Sequence, residues 1–96
     1  MEPEKLAKTR WLTINELRNS RTFTFDPVEL DQTLVIPFAK ECVEVFAFVG
    51  NYSDDKLLTV EIRDQGGPVG VIPPGKSALI WSDGIAWFGL LGSRAF

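Results

Sequence analysis

The chain has 96 residues, room for one small domain, and its formal net charge of −3 argues against nucleic acid as a main partner. With no histidine and one cysteine, Cys42, it has no histidine-based catalytic pair, intrachain disulfide or zinc cage. No run approaches the ~20 apolar residues of a membrane span, and the opening Met1-Glu2-Pro3-Glu4-Lys5 lacks a secretory h-region, so folding in a cytoplasm is expected.

Residues 1–20 read as an arm, distinct from a body at 21–96. Pro3 suits a first helical turn, and Leu6, Arg10, Trp11, Ile14 and Leu17 make a weak helical stripe. The stretch from Trp11 to Ile14 also alternates like a strand, so helix, strand and extended arm all stay open. Residues 1–21 carry five basic and three acidic side chains, and the remainder five basic and ten acidic. Such a basic segment could dock on an acidic neighbour, including another copy of the chain, or simply be solvated.

From Arg21 onward the chain reads as strand after strand. Thr22-Phe23-Thr24-Phe25 alternates polar and aromatic residues until Asp26-Pro27. Thr33 to Phe38 follows, with Pro37 marking an edge or an end. Val43 to Val49 alternates again, with Val43, Val45, Ala47 and Val49 on one face and Glu44, Phe46 and Phe48 on the other. Residues 50–55 form a turn-rich loop; its Asn51-Tyr52-Ser53 matches a glycosylation sequon but reads as a turn. In the next strand Leu58, Val60 and Ile62 point inward and Thr59, Glu61 and Arg63 outward. Asp64 to Gly67 turns the chain. Val69 to Ile72 is short, and Pro73-Pro74-Gly75 ends it. Ser82-Asp83-Gly84 joins the last two β-rich runs, Ser77–Trp81 and Ile85–Leu91, as a hairpin. Seven or so short strands predict an all-β fold, a small antiparallel β-sandwich or barrel.

Gly70 to Ser77 fits the phosphate-loop pattern G-x-x-x-x-G-K-[ST]. That loop needs backbone N–H groups aimed at phosphate and a helix behind them. Two of its four middle residues here are prolines, which have no N–H, and strand-like residues follow. A nucleotide site is therefore not expected. Cys42 reads as a small buried apolar residue, and Asp54-Asp55 as turn residues, lacking the twelve-residue calcium loop. No catalytic, metal or cofactor site is expected, and the chain reads as non-enzymatic.

The stretch from Val71 to Trp87 resembles tailed-bacteriophage virion proteins. There a hydrophobic strand precedes a Pro-Gly-Lys-Ser turn; a strand, a Ser-Asp-Gly turn and a Trp-bearing strand follow, here Pro74-Gly75-Lys76-Ser77, Ser82-Asp83-Gly84 and Trp87. Thr33 to Pro37, the Val-rich strand ending Gly50-Asn51, and Leu58-Thr59-Val60 fall in the same order, so the likeness covers about residues 21–91. It implies a β-sandwich or barrel module, often trimeric, with interfaces and no catalytic residues. The absence of a shaft or coiled-coil segment favours a capsid decoration or cement protein in the virion, assembled in the host cytoplasm. Its expected partners are itself, as a homotrimer, and major capsid or tail proteins, with no nucleic acid or membrane. The expected contact residues are Trp11, Ile14 and Leu17 in the arm and Phe46, Phe48, Trp87 and Phe88 in the body, since aromatic anchors dominate interfaces. The alternative for Trp87 and the phenylalanines is plain core. A minor tail, fibre-attachment or receptor-binding protein is the second reading. A carbohydrate-binding β-sandwich, with Trp81 or Trp87 stacking on sugar, is the third.

Overall fold

The computed structural model describes residues 3–30, 32–63 and 68–93. Its strands are β1 (Glu4–Leu6), β2 (Arg10–Trp11), β3 (Thr22–Pro27), β4 (Gln32–Ile36), β5 (Phe46–Asn51), β6 (Leu58–Ile62), β7 (Pro68–Ile72), β8 (Lys76–Ser82) and β9 (Trp87–Ser93). A short helix, α1 (Ile14–Asn19), and a 3-10 turn, Ala39–Glu41, complete the described elements. The strands form a five-stranded sheet, β1-β3-β5-β8-β9, and a four-stranded sheet, β2-β4-β6-β7.

The fold is all-β, as expected, but the sheets are mixed rather than antiparallel. In the first, β1 pairs with β3 and β3 with β5 in parallel; β8 and β9 then add antiparallel. In the second, β2, β4 and β6 run parallel and β7 antiparallel. Nine strands are present among the described residues instead of about seven. The physical reason is the path: β1 to β6 alternate between the sheets, so each strand crosses over, returns, and lies parallel to the one before it in its own sheet.

The segment expected as an arm belongs to this winding. Residues 4–6 and 10–11 edge the two sheets, and Leu6, Leu12 and Leu17 are buried in the common core. Thr13 starts α1 with a capping box: its hydroxyl accepts from Glu16 N–H at 3.1 Å, and the Glu16 carboxylate accepts from Thr13 N–H at 3.0 Å. The helix stops at Ser20, whose backbone is extended, and Arg21 Nη1 donates to the freed Leu17 carbonyl at 3.0 Å. The helix therefore breaks at Asn19-Ser20.

The core lies between the sheets. Leu34, Leu58, Val60 and Ile62 meet Phe25, Ala47, Val49 and Ile80 across it. Each fully buried leucine there contributes roughly 1.5–3 kcal/mol. The inward set on β6 is as expected, with Leu58, Val60 and Ile62 buried. Strand β5 starts later than its alternation predicts. Glu44 takes φ +58 in a turn, which breaks the period and leaves Val43 exposed while Val45, Ala47 and Val49 go inward. The turn expected at Asp64–Gly67 lies outside the described residues.

Candidate functional site: an apolar sheet face and a free edge

On β5, Ala47 and Val49 face the core, so the two-residue period turns Phe46 and Phe48 outward. Register extends this face. Phe46 lies opposite Trp81, which lies opposite Phe88; Phe48 lies opposite Leu79, which lies opposite Leu90. Two apolar rows thus cross β5, β8 and β9. Phe46, Phe48 and Phe88 are 43, 47 and 44 % exposed and Leu90 is 62 % exposed, so the rows face outward as a patch. The rings are ordered against one another. Phe46 and Phe48 meet edge to face at 6.4 Å, Trp81 and Phe88 stack at 5.5 Å, and the Arg21 guanidinium sits 4.8 Å above Phe46.

The face ends at β9, whose far side pairs with no described strand. Beyond it the sheets part around an apolar cleft of about 530 Å³, between Val71 and Ile72 on one side and Trp87, Gly89 and Leu91 on the other. A smaller groove of about 210 Å³ crosses the same sheet at Gly50, between Phe48, Tyr52, Thr24 and Ser77.

The seven residues expected as contacts separate. Phe46, Phe48 and Phe88 share the outer face of the five-stranded sheet. Trp11 is 53 % exposed but lies on the four-stranded sheet, opposite Val35, with the Arg63 guanidinium 5.9 Å from its ring. Leu17 is a correction: it is fully buried, because α1 turns it into the core. Ile14 packs half-buried against that core. Trp87 does the same, and its indole N–H donates to the Pro37 carbonyl at 2.8 Å, which matches its alternative reading as core. Leu79, Leu90 and Leu91 are not among the expected contacts, and Trp81 is expected only as a sugar-stacking candidate. Residues 87–91 are apolar on both faces, so alternation alone does not mark which side faces out.

Both sequence motifs reach the smaller groove, the first through Gly75, Lys76 and Ser77 and the sequon through Asn51 and Tyr52. Gly70 to Ile72 belongs to β7 and Lys76-Ser77 to β8, joined by a tight turn with Gly75 at φ +73. The Gly75 N–H is taken by Asn51 O at 3.0 Å and the Lys76 N–H by Pro73 O at 3.1 Å, so neither aims at a phosphate. At the sequon, Asn51 is buried, and its amide nitrogen donates to Lys56 O and Ile72 O at 2.8 and 2.9 Å. Both amide hydrogens are engaged, so the folded chain cannot present this nitrogen to a sugar.

Some charged groups hold local structure. Arg10 bonds Glu4 at 2.8 Å and also Glu16. That hydrogen-bonded ion pair lowers the Glu16 carboxyl to about 2 and raises the already high guanidinium further. Burial pushes the Cys42 thiol up, which keeps it protonated and unreactive. Asp83 is held low by the Ala86 and Ile85 N–H groups it accepts in the hairpin turn. Comparison with protein families, characterised proteins and solved structures finds no match for this chain.

Proposed function

We propose that the chain is a non-enzymatic structural protein of a tailed-phage virion, a capsid decoration or cement protein that works through its apolar sheet face. The observation that carries this reading is the outward patch of Phe46, Phe48, Phe88 and Leu90, continuous across three strands and ordered by stacking. Exposed aromatic surface of this extent stabilises a chain when a neighbour covers it. The likeness of residues 71–87 to virion modules supplies the kind of neighbour: copies of the chain and a major capsid or tail protein.

The test is the copy number of this chain against the major shell protein in purified particles, by quantitative mass spectrometry. Hundreds of copies are expected. A handful would move the assignment to tail or fibre attachment, and none would end the virion reading. A sugar-binding reading retains one observation, the Gly50 groove where Phe48 and Tyr52 flank Thr24 and Ser77. A glycan array carrying the purified chain tests it, and no retained glycan would remove it.

A further inference from the structure

We propose that β9 is a self-recognition edge: it pairs antiparallel with β9 of a second copy about a twofold axis at Leu90, making one continuous sheet of ten strands. This goes beyond the virion reading and does not depend on it.

The four sheet edges are unequal. Strand β1 has three residues, two of them charged, and β2 has two, one being Arg10. Strand β7 starts with Pro68, and its register against β6 shifts at Val60/Glu61. Shortness, charge, proline and irregular register are the devices that keep an edge from pairing. Strand β9 has none of them. It runs seven residues, Trp-Phe-Gly-Leu-Leu-Gly-Ser, without proline or charge.

Its free hydrogen-bonding groups fall in a definite set. The Asp83 N–H bonds Ala86 O, and the Ser82 N–H points the other way, to Val45 O on the β5 side. Alternation along an antiparallel ladder then directs the backbone groups of Phe88, Leu90 and Gly92 toward β8 and those of Trp87, Gly89, Leu91 and Ser93 to the open side. With the axis at Leu90, Gly89 pairs with Leu91 of the copy, and Trp87 with Ser93, and the reverse. Every open-side group meets a partner from the same set.

The side chains fit the same register. Phe88 comes opposite Gly92 of the copy, Leu91 opposite Gly89, Leu90 opposite itself and Trp87 opposite Ser93, so each large residue meets a small one or its own twofold mate. A Cβ placed on Gly92 would meet nothing within 4 Å, which leaves room for the neighbouring ring. Leu91, 61 % exposed, would close the mouth of the apolar cleft beside Gly89 of the copy. The free edge with Phe88, Leu90 and Leu91 offers on the order of 500 Å² per copy, near the lower limit for a specific interface. The occupant is therefore a second copy held reversibly, with a Kd of about micromolar order.

The test uses the full chain in sedimentation velocity from about 1 to 200 µM, a range that brackets that affinity. A reversible monomer–dimer equilibrium is expected. Gly92→Leu fills the space for the neighbouring Phe88 from a Cβ that meets nothing within 4 Å in its own fold, and should weaken dimerisation by about tenfold or more. Leu90→Cys places two thiols at a non-hydrogen-bonded pair, with Cα atoms about 4.5 Å apart, within disulfide reach. It should cross-link faster than Ile85→Cys at the exposed hairpin tip, while buried Cys42 stays silent. A chain that is monomeric throughout and cross-links no faster at 90 than at 85 overturns the proposal. So does a dimer that Gly92→Leu leaves unchanged, or a trimer as the associated species.

Discussion

Asn51→Ala isolates one buried polar node. The Asn51 side chain is 1 % exposed, and its amide joins three parts of the chain: Lys56 O in the following loop, Ile72 O at the end of β7, and Ser53 N–H, which donates to Oδ1 at 3.0 Å. Alanine removes three hydrogen bonds and strands two carbonyls and one N–H. At about 1 kcal/mol net per bond, more where the orphaned group stays dry, the loss is about 3 kcal/mol. A domain of this size holds only about 5–14 kcal/mol in total, so Tm should fall by about 15 °C. Urea unfolding followed by tryptophan fluorescence should show the midpoint lowered by roughly 2–3 M. A midpoint within about 0.5 M of the parent would refute the reasoning, because water would then be satisfying those groups. Asn51→Asp sharpens the test. Facing two carbonyl oxygens, its carboxyl keeps its proton, so its folded pKa is raised above the unfolded one. The folded variant then binds more protons than the unfolded chain, and its deficit should shrink as pH falls from 8 toward 5.

Other consequences follow from the same contacts. Thr13→Ala removes the α1 cap and should destabilise by about 1 kcal/mol in chemical denaturation. The Glu16 carboxyl is lowered to about 2 in the folded chain, so its contribution is present above the ordinary carboxylate range and lost as pH falls from about 5 toward 2. Since Glu16 is about one-third exposed, screening limits that contribution to about 1 kcal/mol; Glu16→Gln should flatten the acid limb of a stability–pH curve. Gly84→Ala puts a side chain at φ +93 with its Cβ 3.0 Å from Val43 Cγ2, and should lower stability by about 1–2 kcal/mol in thermal melts. Deleting residues 1–12 takes Leu6 and Leu12 from the core and a strand from each sheet, so loss of cooperative unfolding by circular dichroism is expected rather than an intact body.

Much of this was legible in the sequence because it is local. Leu58, Val60 and Ile62 announce their buried face by period alone, and Ser82-Asp83-Gly84 announces its hairpin by the need for positive φ at Gly84. The capping box of Thr13 and Glu16 was also there to read, but the alternation of Trp11-Leu12-Thr13-Ile14 competes with it in the same few residues. The left-handed turn at Glu44 was not legible, since glutamate carries no signal for positive φ. Nor was the outward face of Trp87 to Leu91, where both faces are apolar.

The strand partners were hidden for a deeper reason. Pattern tells which residues of a strand are buried, but not which sheet buries them. Antiparallel hairpins are the default inference when short strands follow one another across turns. Here successive strands up to β6 lie in opposite sheets, so Thr22 to Pro27 finds its neighbours at residues 4–6 and 48–51, far away in sequence. The chain closes this winding with two antiparallel additions: β7 on one sheet, and β8 with β9 on the other. Such winding leaves edges at both ends of each sheet. The early edges are two or three residues long and carry charge, whereas the last, β9, is long, apolar and backed by the aromatic rows. The strand that completes the described sheet is therefore also the edge most prepared to continue into a neighbour.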